Sequence, residues 1–295
     1  MTPEQVPTVD VRELVERRIH EPAAIAEAAA NRKRRNLVDA NGRLLIVAVD
    51  HPARGALRVG DRPLAMADRK DLLERVLVAL SRPGVDGVLA TPDIVDDLLL
   101  LGALDGHLVI GSMNRGGLSG ATFEIDDRFT AYDVDGVERA GLDGGKMLVR
   151  IDPGDHATAA LLESSAQAVS GLAQRQLMAM VEPFLMRRVA GQLTTDLSPE
   201  AMARALGIAS GLGTTSAYTW LKVPVVEDME RVMAAATLPA LILGGDVTDD
   251  PDVVYARWAA ALELPTVRGL VVGRSLLYPA DDDVAAAVDT AVGLL

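Results

Sequence analysis

Eight short apolar runs recur along the chain, each closed by a polar residue or glycine and followed by a stretch with helical spacing. They cover residues 43–50, 85–90, 107–112, 146–152, 177–182, 218–223, 240–246 and 268–274. Between them lie segments with apolar residues at i, i+3 and i+4, as in 67–84, 156–175, 198–213 and 250–264. Several of these begin at a Ser or Asp that can cap a helix and end near Gly or Pro. Strict strand–helix alternation calls for a parallel sheet with helices outside it, and eight strands over about 250 residues is the size of a (β/α)8 TIM barrel. A doubly wound open α/β sheet is the competing arrangement, but its G-x-G-x-x-G signature after the first strand is missing. No internal repeat or dividing linker interrupts the pattern. Residues 1–40 read as an N-terminal helical extension lying across the barrel bottom, and residues 41–295 as the barrel domain. The basic run NRKRR at 31–35 reads as a solvated helix end or a subunit contact.

With 49% hydrophobic residues among 295, the chain can bury a substantial core. Its net charge of −13 argues against nucleic acid or an anionic membrane as a partner, since both would repel it. The absence of cysteine removes disulfides, thiolate metal sites and thiol nucleophiles. The N-terminus carries acids and has no leader-like apolar stretch, and no run approaches a membrane span, so a cytoplasmic protein is expected.

The active site of such a barrel lies where the strands end. The runs end in Asp50; Thr91 and Asp93; Ser112, Asn114 and Arg115; Arg150 and Asp152; Glu182; Lys222; Gly244 and Gly245; and Gly273 and Arg274. Polar strand ends that merely meet water are the rule, but two carboxylates and a lysine here close very apolar runs. The lysine is notable because the chain has only four, at 33, 70, 146 and 222. Period-two alternation puts Trp220 and Tyr218 on the face of Lys222, and Ile46 and Ala48 on the face of Asp50. If those faces point inward, the ionisable groups stand over a packed interior. Burial and a neighbouring cation both disfavour an ammonium group, and a neutral amine attacks carbonyls. Lys146, opening the fourth run, is the candidate second cation. On the residues alone, an imine-forming lysine and a buried ion pair with Glu182 or Asp50 stand level.

The last two runs end in Gly244–Gly245 and Gly273–Arg274. Loops after the seventh and eighth barrel strands often bind phosphate through backbone N–H groups, where glycine permits close approach and arginine adds charge-assisted bonds. A phosphorylated substrate follows. Metal-assisted chemistry generally takes several histidine ligands, whereas of His20, His51, His107 and His156 only His51 follows a strand end. No metal and no cofactor are therefore expected, and His51 is a candidate substrate contact.

Taken together, IVAVDHPARG, GGKMLVRID, MVEPF, WLKVP, LILGGD and GLVVGR resemble the motifs of class I aldolases that carry a Schiff-base lysine on the sixth barrel strand. The likeness runs from about residue 43 to 280 and is nearest to tagatose-bisphosphate and sulfofructose-phosphate aldolases, more distantly to archaeal-type fructose-bisphosphate and deoxyribose-phosphate aldolases. It implies that Lys222 is the nucleophile, Glu182 the acid–base, Lys146 an assisting cation and Asp50 a partner for the substrate hydroxyl, with a homo-oligomeric assembly. The chain is most similar to an actinobacterial branch associated with inositol breakdown. That likeness implies cleavage of 2-deoxy-5-keto-gluconate 6-phosphate to malonate semialdehyde and dihydroxyacetone phosphate. Such a substrate carries a carboxylate as well as a phosphate; Arg150, Arg115 and Arg54 are candidates for the second anion, and the loop 112–120 could close over it. Deoxyribose-phosphate, ketose-bisphosphate and sulfofructose-phosphate cleavage are the alternatives within enzymes. A catalytically inert barrel that binds a sugar phosphate is the alternative outside them.

Overall fold

Every one of the eight runs forms a strand, and the strands close on themselves. The computed structural model describes residues 8–38, 42–245 and 250–295. Among these the strands are β1 (Leu44–Ala48), β2 (Gly87–Ala90), β3 (Leu108–Ser112), β4 (Gly144–Ile151), β5 (Met178–Val189), β6 (Gln192–Thr195), β7 (Thr219–Pro224), β8 (Ala240–Leu243) and β9 (Val267–Val272). Their order is β4-β3-β2-β1-β9-β8-β7-β5, and a further β4–β5 pairing shuts the ring. All eight barrel pairings are parallel. The protein is a closed (β/α)8 TIM barrel. Asp246 and the expected boundary at residues 40 and 41 lie outside the described residues.

Four expected helices appear as Arg69–Ser81, Ala157–Gln174, Pro199–Ser210 and Pro251–Leu262. Asp68, Ser198 and Asp250 cap three of them, each accepting a bond from a backbone N–H of the first turn. One element was not foreseen from sequence. β5 continues well past Glu182 and folds back as an antiparallel hairpin, with Met186 opposite Thr195 and Val189 opposite Gln192. Its outer part, MRRV, mixes charge with apolar residues because it has left the barrel wall and stands above the rim.

Alternation divides the apolar residues into two cores. Outward-facing Leu45, Val47, Val88, Val109, Val149, Val181, Leu221 and Val223 pack against the helices. Inward-facing Leu44, Ile46, Ala48, Leu108, Ile110, Met178, Met180, Trp220, Leu241 and Val271 fill the barrel. A strand buried on both faces reads as a continuous apolar run, as these do.

The N-terminal segment forms helices Val11–His20 and Ala23–Asn31. Arg17 and Arg18 of the first tie it to the helix Pro92–Leu100 through Leu100 O (2.6 Å) and Asp97 (2.7 Å). The basic run that follows is only partly a solvated end, with Lys33 and Arg34 exposed and Arg35 half-buried. Arg32 is buried and donates to His107 O, Gly141 O and Asp143; Arg34 also reaches Asp143, and Arg35 reaches Asp86. Both aspartates stand at the lower ends of strands and accept backbone N–H groups as well, Asp86 from Leu45 and Asp143 from Val109. The run clasps the barrel bottom, and Leu37 and Val38 then pack against the interior core. Among the described residues no helix is long and apolar enough to cross a membrane.

Candidate active site

Along each strand, the face that fills the barrel with apolar side chains delivers an ionisable one at the upper rim. Asp50 follows Ala48 beyond β1, Ser112 follows Ile110 on β3, Glu182 follows Met180 on β5, and Lys222 follows Trp220 on β7. Lys146 of β4 is in register with Ser112 on one side and Met180 on the other. All five are buried.

Their contacts form one chain. Lys222 Nζ lies 3.2 Å from Glu182 Oε1, and Lys146 Nζ lies 2.5 Å from Glu182 Oε2 and 3.2 Å from Asp50 Oδ2. Asp50 Oδ2 also accepts from Ser112 Oγ (3.0 Å) and from Arg115 Nη2, while Arg115 Nε donates to Ser112 Oγ (2.8 Å). Asp50 Oδ1 faces His51, whose Nδ1 is 4.0 Å away. Three cations meet two carboxylates, which leaves one positive charge in excess. Burial first, then Lys222 and Arg115, outweigh the two carboxylates and lower Lys146 to about 8. Burial pushes Glu182 upward, but Lys146 and Lys222 overcome this and hold it at about 2. Asp50 behaves alike, with Arg115, Lys146 and Lys222 holding it well below the usual carboxylate range against burial. His51 is lowered to about 3, by burial first and then by Arg274, Lys222 and Arg115 against the pull of Asp50, so its ring is neutral at physiological pH.

Above this floor opens a cavity of about 440 Å³. Lys222, Glu182, Lys146, Asp50, His51, Arg115, Arg150, Gly244, Gly245, Gly273 and Arg274 all line it, together with Arg54. Of the expected site residues, Ser112 alone stays behind the lining, acting through Asp50. Thr91, Asp93 and Asp152 point elsewhere; Asp93 pairs with Arg69 and Asp152 with Arg188. The glycines are there for backbone reasons. Gly245 has φ +70, and a Cβ on Gly273 would sit 2.3 Å from Ala48 O and 2.8 Å from the His51 ring.

Sequence reasoning missed the wall opposite. Phe184, Met186, Thr195 and Leu197, from upper β5 and the hairpin, line it, as does Glu124. Their signal was weak because the antiparallel return of a strand beyond the rim has no place in a strand–helix period. The arginines near the loop 112–128 are engaged within it. Arg54 donates to Asn114 O and Gly117 O, both at 2.6 Å, and pairs with Asp127 at 2.5 Å. Arg150 pairs with Glu124 and Asp127 and donates to Gly117 O. The Asn114 side chain bonds both backbone groups of Leu148, as a strand partner would.

A second hollow, of about 520 Å³, lies on the barrel flank between residues 126–135 and the helix Ala157–Gln174. It has no lysine in its walls and lies away from the barrel axis, so the rim cavity is the candidate site. Among the described residues no three His, Asp or Glu side chains converge as a metal-holding group.

Comparison with solved structures returns the same barrel. A Schiff-base-forming fructose-1,6-bisphosphate aldolase aligns with a TM-score of 0.64 at 19% identity, over 92% of this chain and 99% of that one. An archaeal fructose-1,6-bisphosphate aldolase aligns with a TM-score of 0.66 at 19% identity, over 92% and 98%. At these identities the likeness is one of fold. No curated protein matches. Cgl0159 from Corynebacterium glutamicum is far nearer, with 55% identity, 98% of both chains covered and a TM-score of 0.94. The sequence profile of the Cgl0159-like family matches residues 42–292. The chain belongs to the Cgl0159-like family.

Proposed function

We propose that the protein is a class I aldolase that cleaves a phosphorylated keto sugar or keto sugar acid through an imine on Lys222, yielding dihydroxyacetone phosphate and an aldehyde. The observation that carries this reading is the bridge Lys222–Glu182–Lys146, buried at the floor of a cavity whose far side is built of glycine and arginine. Glu182 presents one oxygen to each amine. A proton can pass from Lys222 through Glu182 to Lys146, which burial lowers to about 8, so that part of it is neutral at physiological pH.

Neutral Lys222 adds to the substrate ketone to give a carbinolamine, whose hydroxyl leaves as water once Lys146 and Glu182 return the proton. The protonated imine then draws electrons from the neighbouring carbon–carbon bond. Glu182 takes the proton of the hydroxyl on the departing fragment, while Asp50 Oδ1 holds that hydroxyl. The aldehyde leaves, the enamine is protonated on carbon, and water releases dihydroxyacetone phosphate and Lys222. Gly244, Gly245, Gly273 and Arg274 hold the phosphate.

The substrate that fits best is 2-deoxy-5-keto-gluconate 6-phosphate, because the wall opposite the phosphate end offers Arg150 to a carboxylate. Its ketone at C5 forms the imine, the C3–C4 bond breaks, and malonate semialdehyde departs. Borohydride reduction in the presence of dihydroxyacetone phosphate, read by intact mass, tests the chemistry. A covalent adduct that disappears in Lys222→Arg supports it, and no adduct at all refutes it in favour of a barrel that only binds. A panel of phosphorylated ketoses and keto acids tests the substrate; equal turnover of ketose bisphosphates would remove the preference for an acid end.

A further inference from the structure

The arginines around the cavity differ in what holds them. Arg115 is paired with Asp50 and Arg54 with Asp127, and both carboxylates are buried, Asp127 completely. Pulling either arginine towards a ligand would take a cation away from a buried carboxylate. Arg150 shares Asp127, but its other guanidinium nitrogen, Nη1, is held by Glu124, whose side chain is 18% exposed at the cavity wall. Glu124 belongs to the turn 120–125, where its second oxygen accepts from Gly120 N at 2.9 Å. Arg150 Nε is buried and has no acceptor among the described residues, so a donor is still available. On β4, Arg150 stands on the same face as Lys146 and Leu148, two side-chain layers above the reactive floor. Beside it the turn carries Leu118 and Phe123, both exposed large apolar side chains.

We propose that Glu124 is an internal stand-in for the acidic end of the substrate: its carboxylate occupies Arg150 in the resting protein, and a ligand carboxylate takes its place when it enters the cavity. Glu124 is then a specificity-determining residue. A ligand ending in an uncharged group gains nothing by displacing it, whereas a carboxylate recovers the ion pair and finds Nε besides, and the released Glu124 turns towards water. This deepens the aldolase reading by naming the substrate class, a keto sugar acid, and it rests on that reading only for the identity of the cavity.

Malonate binding by calorimetry tests it without requiring catalysis, with malonamide as the uncharged match in shape. Glu124→Gln removes the competing charge and keeps the turn's hydrogen bond to Gly120. If Glu124 occupies Arg150 about nine-tenths of the time, this variant binds malonate roughly tenfold more tightly. Malonamide affinity stays the same, and Arg150→Gln loses malonate binding. Unchanged or weaker malonate binding in Glu124→Gln, with the fold intact by circular dichroism, would overturn the proposal and leave the pair a structural tie of the loop. Malonate binding that survives in Arg150→Gln overturns it as well. Reductive trapping of dihydroxyacetone phosphate in the unaltered protein reports on Lys222 alone, so a failure there refutes the imine without touching the acid subsite.

Discussion

Replacing Lys146 with arginine separates charge from proton exchange at the reactive floor. Arginine keeps the positive charge between Asp50 and Glu182 but stays protonated at every accessible pH. In the unaltered protein Lys146 is lowered from 10.5 to about 8, so at pH 7 about a tenth of it is neutral, against about three parts in ten thousand for an ordinary lysine. The buried setting thus makes neutral Lys146, the base that the route through Glu182 requires, roughly 300-fold more abundant than at an ordinary lysine. Lys146→Arg removes that base and should slow imine formation at pH 7 by about 100-fold, the scale of a lost general base, while leaving inorganic phosphate binding within about twofold.

The assay is timed borohydride quenching with dihydroxyacetone phosphate, scored by intact mass between pH 6 and 10. The unaltered protein should gain about tenfold per pH unit below 8 and level off above it, a break that belongs to the coupled lysines and Glu182 together. In Lys146→Arg the break near 8 should be lost. An unshifted break near 8 in the variant would refute the proton route through Glu182. An equal rate at pH 7 would refute it too, leaving Lys146 a source of charge only.

Three further outcomes follow from the geometry. Asp143→Ala leaves Arg32 buried without its carboxylate and should cost about 3–5 kcal/mol, read from urea denaturation, while Lys33→Ala at the exposed Lys33–Asp105 pair should change stability by less than about 1 kcal/mol. Glu182 is held at about 2 in the fold against 4.5 for an ordinary glutamate, so its contribution is fully present above pH 4.5 and lost as pH falls towards 2; the unfolding free energy should drop across that window, and Glu182→Gln should flatten the slope there. Gly273→Ala places a methyl 2.3 Å from Ala48 O, so it should push the end of β9 away from β1 and weaken inorganic phosphate binding at least tenfold by calorimetry, an effect absent if the phosphate sits elsewhere.

The barrel was legible in the chain because strands buried on both faces must read as unbroken apolar runs, and eight such runs separated by helical segments appear. That Asp50 shares a face with Ala48 and Lys222 with Trp220 was legible as well, since strand side chains repeat with a period of two, but that these faces point inward was settled only by the closed barrel. What could not be read was which charges meet. Lys146 reaches both Asp50 and Glu182 because neighbouring strands in a closed barrel are staggered, and stagger is set by pairing between segments far apart in sequence. The roles of Arg32 and Arg35 within the NRKRR run were hidden for the same reason: their partners, Asp143 and Asp86, lie at the feet of strands dozens of residues away. The upper hairpin of β5, and Glu124 on Arg150, were decided by tertiary structure alone. Local sequence fixes the direction in which a side chain points, and only the folded barrel fixes what it finds there.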